Sequence, residues 1–199
     1  MSTKIYVEGG GDRQKRTIQA CRAAFSRYFQ KVVPEGAQPR IVACGSRQKA
    51  YEDFTKGLND PDYDIVLLLV DSEGPVSPGD DSWTHLRKRD HWAKPNDAGN
   101  DTAHMMVQCM ESWFMADKAC LIAFYGQHFN AHALSARMEI EHIPKNDVST
   151  ALANATRNTQ KGPYHKTRHG FALLGDIDPG KVEAVSPFCE RLHRHLRDQ

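Results

Sequence analysis

Carboxylate side chains follow two of the most apolar segments of the sequence. Glu8 comes directly after the run TKIYV, and Asp71 and Glu73 follow the run DIVLLLV. Ligands of an open α/β sheet bind outside the carboxyl ends of its strands, so we expect these three acids to lie together. Clustered carboxylates repel one another unless a cation joins them. Because Mg²⁺ and Mn²⁺ prefer oxygen ligands, the three acids predict a divalent metal site.

Three consecutive glycines, Gly9 to Gly11, separate Glu8 from Asp12. Glycine lets the backbone approach a phosphate closely, and the helix expected to begin at Asp12 would point its N-terminus there. A dinucleotide-binding fingerprint would need a third small residue at position 14, which is Gln14, and a Walker loop is absent. The glycines therefore favour a phosphate-binding turn that is neither a dinucleotide-binding fingerprint nor a Walker loop.

Further candidates for the site lie later in the chain. Glu111 begins a predicted helix, where it is either another acidic wall of the site or a first-turn Glu that the helix dipole favours. Lys161, Tyr164 and Lys166 lie in a segment broken by glycine and proline. They contact phosphate or stabilise a transition state, or else they form a solvated basic loop. The sequence leaves both pairs of alternatives open.

The elements that must position these residues alternate between strand and helix. Strands are expected at Thr3 to Glu8, Arg40 to Cys44 and Asp64 to Val70, with helices after Asp12 and at Arg47 to Leu58. This order is typical of an α/β fold with a mostly parallel sheet flanked by helices. A long polar loop, 72–101, is followed by elements that we predict as one more strand and four helices: 104–109, 111–125, 146–156, 167–174 and 186–197. We expect an α/β core over residues 1–130 and a helical C-terminal extension, 131–199, packed on the same domain.

Composition limits the class of protein. The 199 residues carry a net charge of +1, which argues against a protein that coats nucleic acid electrostatically. The charge is nevertheless segregated: 59–83 holds seven acids and no Lys or Arg, and 148–175 holds four basic residues and no acid. No apolar run approaches the length of a membrane helix, and the five cysteines show no disulfide or zinc spacing. We therefore expect a cytoplasmic protein with no membrane association.

Two segments carry a resemblance to a known fold family. The segment KIYVEGGGD resembles the first motif of the TOPRIM (topoisomerase–primase) fold, and LLLVDSE resembles its second motif, which ends in Asp-x-Asp. The chain also resembles a bacterial family of unknown function that shares the patterns VEGGGD, VACGSR, LLLVDSE, MVQCMESWF and KGxYxK over most of its length. Members of that family look TOPRIM-like and are often encoded beside an ATPase in settings that suggest phage defence.

The resemblance implies Mg²⁺-dependent phosphodiester chemistry, as in the TOPRIM nucleases of the OLD type. Glu8 matches the acid of the first motif, which binds metal or acts as a general acid or base, and Asp12 matches the end of that motif. Asp71 and Glu73 match the metal-binding Asp-x-Asp pair. The second acid of this pair is Glu rather than Asp, a departure that could shift the metal.

We therefore expect a metal-dependent nuclease that acts on DNA or RNA in antiphage defence, with an AAA-type or OLD-like ATPase as partner and a possible homo-oligomer. Its catalytic residues would be Glu8, Asp71, Glu73, Glu111, Lys161 and Lys166, and its metal ligands Glu8, Asp12, Asp71 and Glu73. Two alternatives remain open. One is a non-catalytic TOPRIM-like subunit that binds an ATPase, and the other is a small-molecule phosphohydrolase or nucleotidyl transferase that uses the same acids.

Overall fold

The computed structural model of the protein describes residues 1–10 and 15–198, so the helix cap and metal ligand expected at Asp12 lie outside the described residues. Four strands run in chain order: β1 (Thr3–Gly10), β2 (Arg40–Gly45), β3 (Ile65–Asp71) and β4 (Ala103–Met106). The helices of the first half are α1 (Lys15–Gln30), α2 (Arg47–Gly57), α3 (Ser82–Asp90), α4 (Met110–Phe114) and α5 (Lys118–Tyr125). Those of the second half are α6 (Lys145–Thr156), α7 (Phe171–Asp176), α8 (Pro179–Glu183) and α9 (Pro187–Arg197). A π-helical turn, Lys166–Gly170, precedes α7.

The four strands form one parallel sheet in the order β2-β1-β3-β4. The expected α/β class with a parallel sheet flanked by helices is confirmed. Successive residues of β3 point to opposite faces, and both faces are covered. Leu67 and Leu69 pack in a core that includes α1, whereas Leu68 and Val70 pack in a second core that includes α2 and α3. This double burial explains why β3 is apolar without alternation.

Two expectations about helices are corrected by the structure. The single helix expected over 111–125 is two helices, α4 and α5, because the Asp117 carboxylate accepts a hydrogen bond from the Cys120 N–H and caps α5. The expected loop 72–101 contains helix α3, which Asp81 caps and whose Trp83 and Leu86 are buried. Both differences come from short-range capping bonds that override the hydrophobic pattern.

The C-terminal segment shares the core of the sheet. α7 packs on α1, and α9 packs on β4. Tyr28 of α1 stacks on Trp113 at a ring-centroid distance of 5.1 Å, and Cys189 and Leu192 of α9 belong to the same buried cluster. Residues beyond 130 therefore complete one side of the sheet.

Within the described ranges, the chain has no helix that is both long enough and apolar enough to cross a membrane.

Candidate metal and phosphate site

The carboxyl edge of the sheet brings the three predicted acids together. Glu8 lies near the end of β1, Asp71 is the last residue of the neighbouring strand β3, and Glu73 follows two residues later. One carboxylate oxygen from each residue lies within 4.8 Å of one oxygen from each of the other two. Parallel pairing of β1 with β3 produces this proximity, because both strands end at the same edge.

The backbone after β3 turns sharply to place Glu73. Its φ of 66° lies in the left-handed region, which is uncommon for a residue with a side chain. Two hydrogen bonds to the segment around the end of β4 hold the turn: the Ser72 N–H donates to the Met106 carbonyl at 3.0 Å, and the Glu73 N–H donates to the Gln108 carbonyl at 2.8 Å. Glu73 is therefore fixed by backbone pairing rather than by a flexible loop.

Asp71 is the most deeply buried acid of the site, with a side chain only 3% exposed. Its Oδ1 atom accepts a hydrogen bond from the Met110 N–H at 2.8 Å, at the start of α4. Burial raises the pKa of Asp71 to about 7; the charge of Lys166 opposes this rise, and the charges of Glu8 and Glu111 add to it. A negative charge at this position is therefore costly until a cation approaches.

Lys166 supplies one such cation. Its Nζ atom lies 3.6 Å from Asp71 Oδ2 and 3.6 Å from Glu111 Oε2. Burial tends to lower the pKa of Lys166, but the two carboxylates outweigh it and raise the pKa above its ordinary value. The lysine begins the π-helical turn before α7, a type of turn that is frequent at functional sites.

Glu111 forms a buried wall of the site as well as standing in the first turn of α4. Its second oxygen, Oε1, accepts a hydrogen bond from the Tyr164 hydroxyl at 3.0 Å. The alternatives that the sequence left open for Glu111 are thus not exclusive. Tyr164 and Lys166, from the same short segment, contact the two oxygens of one carboxylate.

Arg47 belongs to the site, although sequence reasoning did not identify it. It is the first residue of α2, directly beyond the end of β2, and its Nη1 atom lies 3.1 Å from Glu8 Oε2. The same nitrogen donates to the backbone carbonyl of Asp71, and the other side of the guanidinium makes a bidentate pair with Asp90 at 2.9 and 2.7 Å. The signal was present in the pattern VACGSR, because a residue after the end of β2 must lie at the same edge as Glu8.

Lys145 is the second cation that sequence reasoning missed. Its Nζ atom donates to Glu73 Oε1 at 2.7 Å, and Arg89 lies 3.8 Å from the other oxygen of Glu73. Burial opposes the effect of these cations, but the hydrogen bond and charge of Lys145 dominate and lower the pKa of Glu73. No local pattern marks Lys145, since it begins a helix 72 residues away from its partner.

Lys161 is placed elsewhere. Its Nζ atom lies 5.0 Å from the centroid of the Phe124 ring, and none of the ion pairs in the described part of the chain joins Lys161 to the four acids. The catalytic role expected for Lys161 therefore has no contact to support it.

The donor set suits a divalent cation of the Mg²⁺ type. Three carboxylates are hard oxygen ligands, and oxygens around an octahedral ion at about 2.1 Å lie roughly 3 to 4.2 Å apart. The 4.8 Å limit on the distances among Glu8, Asp71 and Glu73 is within a small side-chain adjustment of that spacing. The surrounding cations, Arg47, Lys145 and Lys166, are the donors that a phosphate group would need.

Fold and site together define an α/β protein with a cleft of mixed charge at the carboxyl edge of a parallel sheet. The chain belongs to the family described as "Domain of unknown function (DUF4276)", which matches residues 7–197. No curated protein and no solved structure matches the chain significantly.

Proposed function

We propose that the protein is a metal-dependent nuclease that hydrolyses phosphodiester bonds of DNA or RNA. The observation that carries the proposal is the approach of carboxylate oxygens of Glu8, Asp71 and Glu73 to within 4.8 Å at the sheet edge. These three residues would hold Mg²⁺ or Mn²⁺. When bound, such an ion supplies an activated water and neutralises charge that develops on phosphoryl oxygens.

The cations of the cleft would bind and orient the substrate. Lys166 is 47% exposed, so its ammonium group can face solvent while it remains 3.6 Å from Asp71. A phosphate bound beside Asp71 would be close to Lys166, which lies 3.6 Å from the Asp71 carboxylate, and to Arg47, which donates to the Asp71 carbonyl. Donors held in place before the reaction stabilise transition-state charge more effectively than water does. Tyr164 would keep Glu111 oriented toward Lys166.

The cellular setting is part of the proposal. The resemblance to a bacterial family that is often encoded beside an ATPase supports a role in antiphage defence, with an ATPase partner that controls access to the site. All five cysteines are free thiols, as expected in a reducing cytoplasm.

The test compares a variant of Asp71 with a control variant of an acid outside the site. Asp71→Asn removes the central ligand charge at nearly constant volume, and Asp62→Asn removes an exposed acid beyond the opposite end of β3. With Mn²⁺, wild type and Asp62→Asn should nick supercoiled plasmid or cleave RNA, and Asp71→Asn should be slower by about 100-fold or more. Calorimetric Mn²⁺ binding should weaken in parallel. Undiminished cleavage by Asp71→Asn would refute the site.

A second candidate function follows from the ion pairs. Glu8 contacts Arg47, Glu73 contacts Lys145, and Asp71 contacts Lys166, so the carboxylates are compensated by the chain's own cations. This arrangement favours a non-catalytic subunit that binds a partner or ligand without metal. Absence of Mn²⁺ binding by wild type, together with absence of cleavage, would support this candidate. Hydrolysis of free nucleotides without cleavage of plasmid or RNA would instead indicate a small-molecule phosphohydrolase.

A further inference from the structure

A groove runs between helix α1 and the edge strand β2, outside the site described above. It encloses about 530 Å³. Among the described residues, β2 pairs only with β1, so its outer edge carries no further strand. The residues that line the groove include Gln19 and Arg22 of α1 and Arg40 of β2.

The groove is basic because Arg22 and Arg40 are the charged residues among the described residues that line it, and α1 contains no acid. Lys15, Gln19, Arg22 and Ser26 follow one another at spacings of four, three and four residues, which places them on one face of the helix. Every one of these side chains can donate a hydrogen bond, and Arg40 adds a second guanidinium from the strand. Lys15, Arg22 and Arg40 are exposed, and none of them takes part in an ion pair within the described ranges.

These four residues of α1, Lys15, Gln19, Arg22 and Ser26, form a polar stripe that leads toward the carboxylate cleft. α1 follows β1 in the chain and runs back along the sheet, so its first residue, Lys15, lies toward the carboxyl edge where Glu8 stands. Arg40 begins β2, at the opposite edge. The stripe and Arg40 therefore form a track that runs along the strand direction, from the carboxyl ends of the strands to their amino ends.

We propose that this stripe, together with Arg40, binds the phosphate backbone of a nucleic-acid duplex and guides it to the cleft; the inference rests on the proposed nuclease function. Among the described residues that line the groove, none is aromatic, so the groove offers no platform for stacked bases. Contacts of this kind position a polynucleotide without reading its sequence.

A second copy of the chain fits the groove less well than a polyanion does. A second copy seated on this face would bring a face with the same positive charge, carried by Arg22 and Arg40, against it. Like charges so placed are repulsive, whereas phosphates complement them.

The experiment measures binding without cleavage. A fluorescent duplex of about 20 base pairs, as DNA and as RNA, is titrated in EDTA with wild type, Arg22→Gln/Arg40→Gln and a matched control, Lys56→Gln/Arg194→Gln. The control removes the same charge from exposed positions on α2 and α9. We expect the Arg22/Arg40 variant to bind about tenfold more weakly, with a salt slope smaller by about 2 because two phosphate contacts are lost. The control should bind like wild type.

The outcomes separate the two proposals. Equal affinity and salt slope for wild type and the Arg22/Arg40 variant would overturn the track, even if wild type cleaves plasmid. Weakened binding by that variant in a protein that cleaves nothing would leave the track standing and reject the nuclease. Binding of single strands or acidic peptides, but not of duplexes, through the same two arginines would also overturn the track as stated.

Discussion

Asp71 shows how one residue sets the properties of the cleft. The hydrogen bond from the Met110 N–H and the nearby Lys166 ammonium both favour its ionised form. Burial and the neighbouring acids Glu8 and Glu111 disfavour that form more strongly, and the pKa of Asp71 is about 7 as a result. In the folded protein, about half of the Asp71 carboxyl groups are therefore protonated at neutral pH.

This imbalance predicts a pH-dependent effect on stability. Because the pKa of Asp71 in the folded state lies above its ordinary value of 3.8, the stability that this group contributes is present below about pH 4 and is lost as pH rises through about 7. Asp71→Asn cannot ionise. At pH 8, in EDTA, it should raise the free energy of unfolding by roughly 1–4 kcal/mol relative to wild type, with little difference at pH 4.

Urea unfolding at both pH values measures this difference. Asp62→Asn, which changes an exposed acid, should stay within about 0.5 kcal/mol of wild type at each pH. A destabilisation by Asp71→Asn that is larger at pH 8 than at pH 4 would contradict the prediction.

Among the elements, helix α2 positions Arg47 through its close approach to β1. Its last residue, Gly57, packs against the Tyr6 ring, and a Cβ atom at position 57 would lie 2.1 Å from the Tyr6 hydroxyl oxygen. No larger residue fits there without a shift of the helix or the ring. The close packing of the C-terminal end of α2 on β1 therefore depends on Gly57, which has no side chain.

Gly57→Ala tests this packing contact between α2 and Tyr6. In an open helix this change would stabilise by about 0.5–1 kcal/mol, whereas here the overlap with Tyr6 should reverse the sign and destabilise by about 1–3 kcal/mol. Chemical denaturation gives the value. Gly74→Ala is the matched control, since its added Cβ meets no atom within 4 Å. If both variants unfold at the same denaturant concentration as wild type, the prediction of a close contact between Gly57 and Tyr6 is contradicted.

The whole molecule assembles its cleft from both halves of the chain. Glu8, Arg47 and Asp71 come from the first half, and Lys145 and Lys166 come from the segment beyond residue 130. The same segment supplies buried side chains to the core that includes α1. Site and core are therefore completed together by the C-terminal helices.

This shared core predicts the behaviour of a shortened chain. A fragment of residues 1–130 would lack α6 to α9 and expose apolar side chains of the core around Tyr28 of α1 and Trp113 of α4. We expect no cooperative thermal transition for the fragment by circular dichroism, because removing a core layer costs more than the few kcal/mol of net stability of a domain. A fragment that melts cooperatively near the temperature of the full chain would show that the C-terminal segment is dispensable.

The sequence by itself determined the parallel α/β fold and the meeting of Glu8, Asp71 and Glu73 at one edge. The reason is that apolar runs and helical periodicity are local properties, and parallel strands bring their carboxyl ends together whatever the details of packing. The sequence predicted the helix boundaries less well. At Asp117 the hydrophobic pattern continues, but the Asp117 side chain caps a new helix and binds Lys181, 64 residues away.

Lys166 was among the residues that the sequence predicted for the site, but only the tertiary structure decided which acids it contacts and that Arg47 and Lys145 join it. Arg47, Lys145 and Lys166 reach partners between 24 and 95 residues away, as the bonds of Arg47 to Asp71, Lys145 to Glu73 and Lys166 to Asp71 show. An ion pair over such a separation leaves no periodic trace in the sequence, because it depends on where packed helices place the ends of long, flexible side chains. Burial of Asp71 has the same origin, since desolvation is a property of the assembled core.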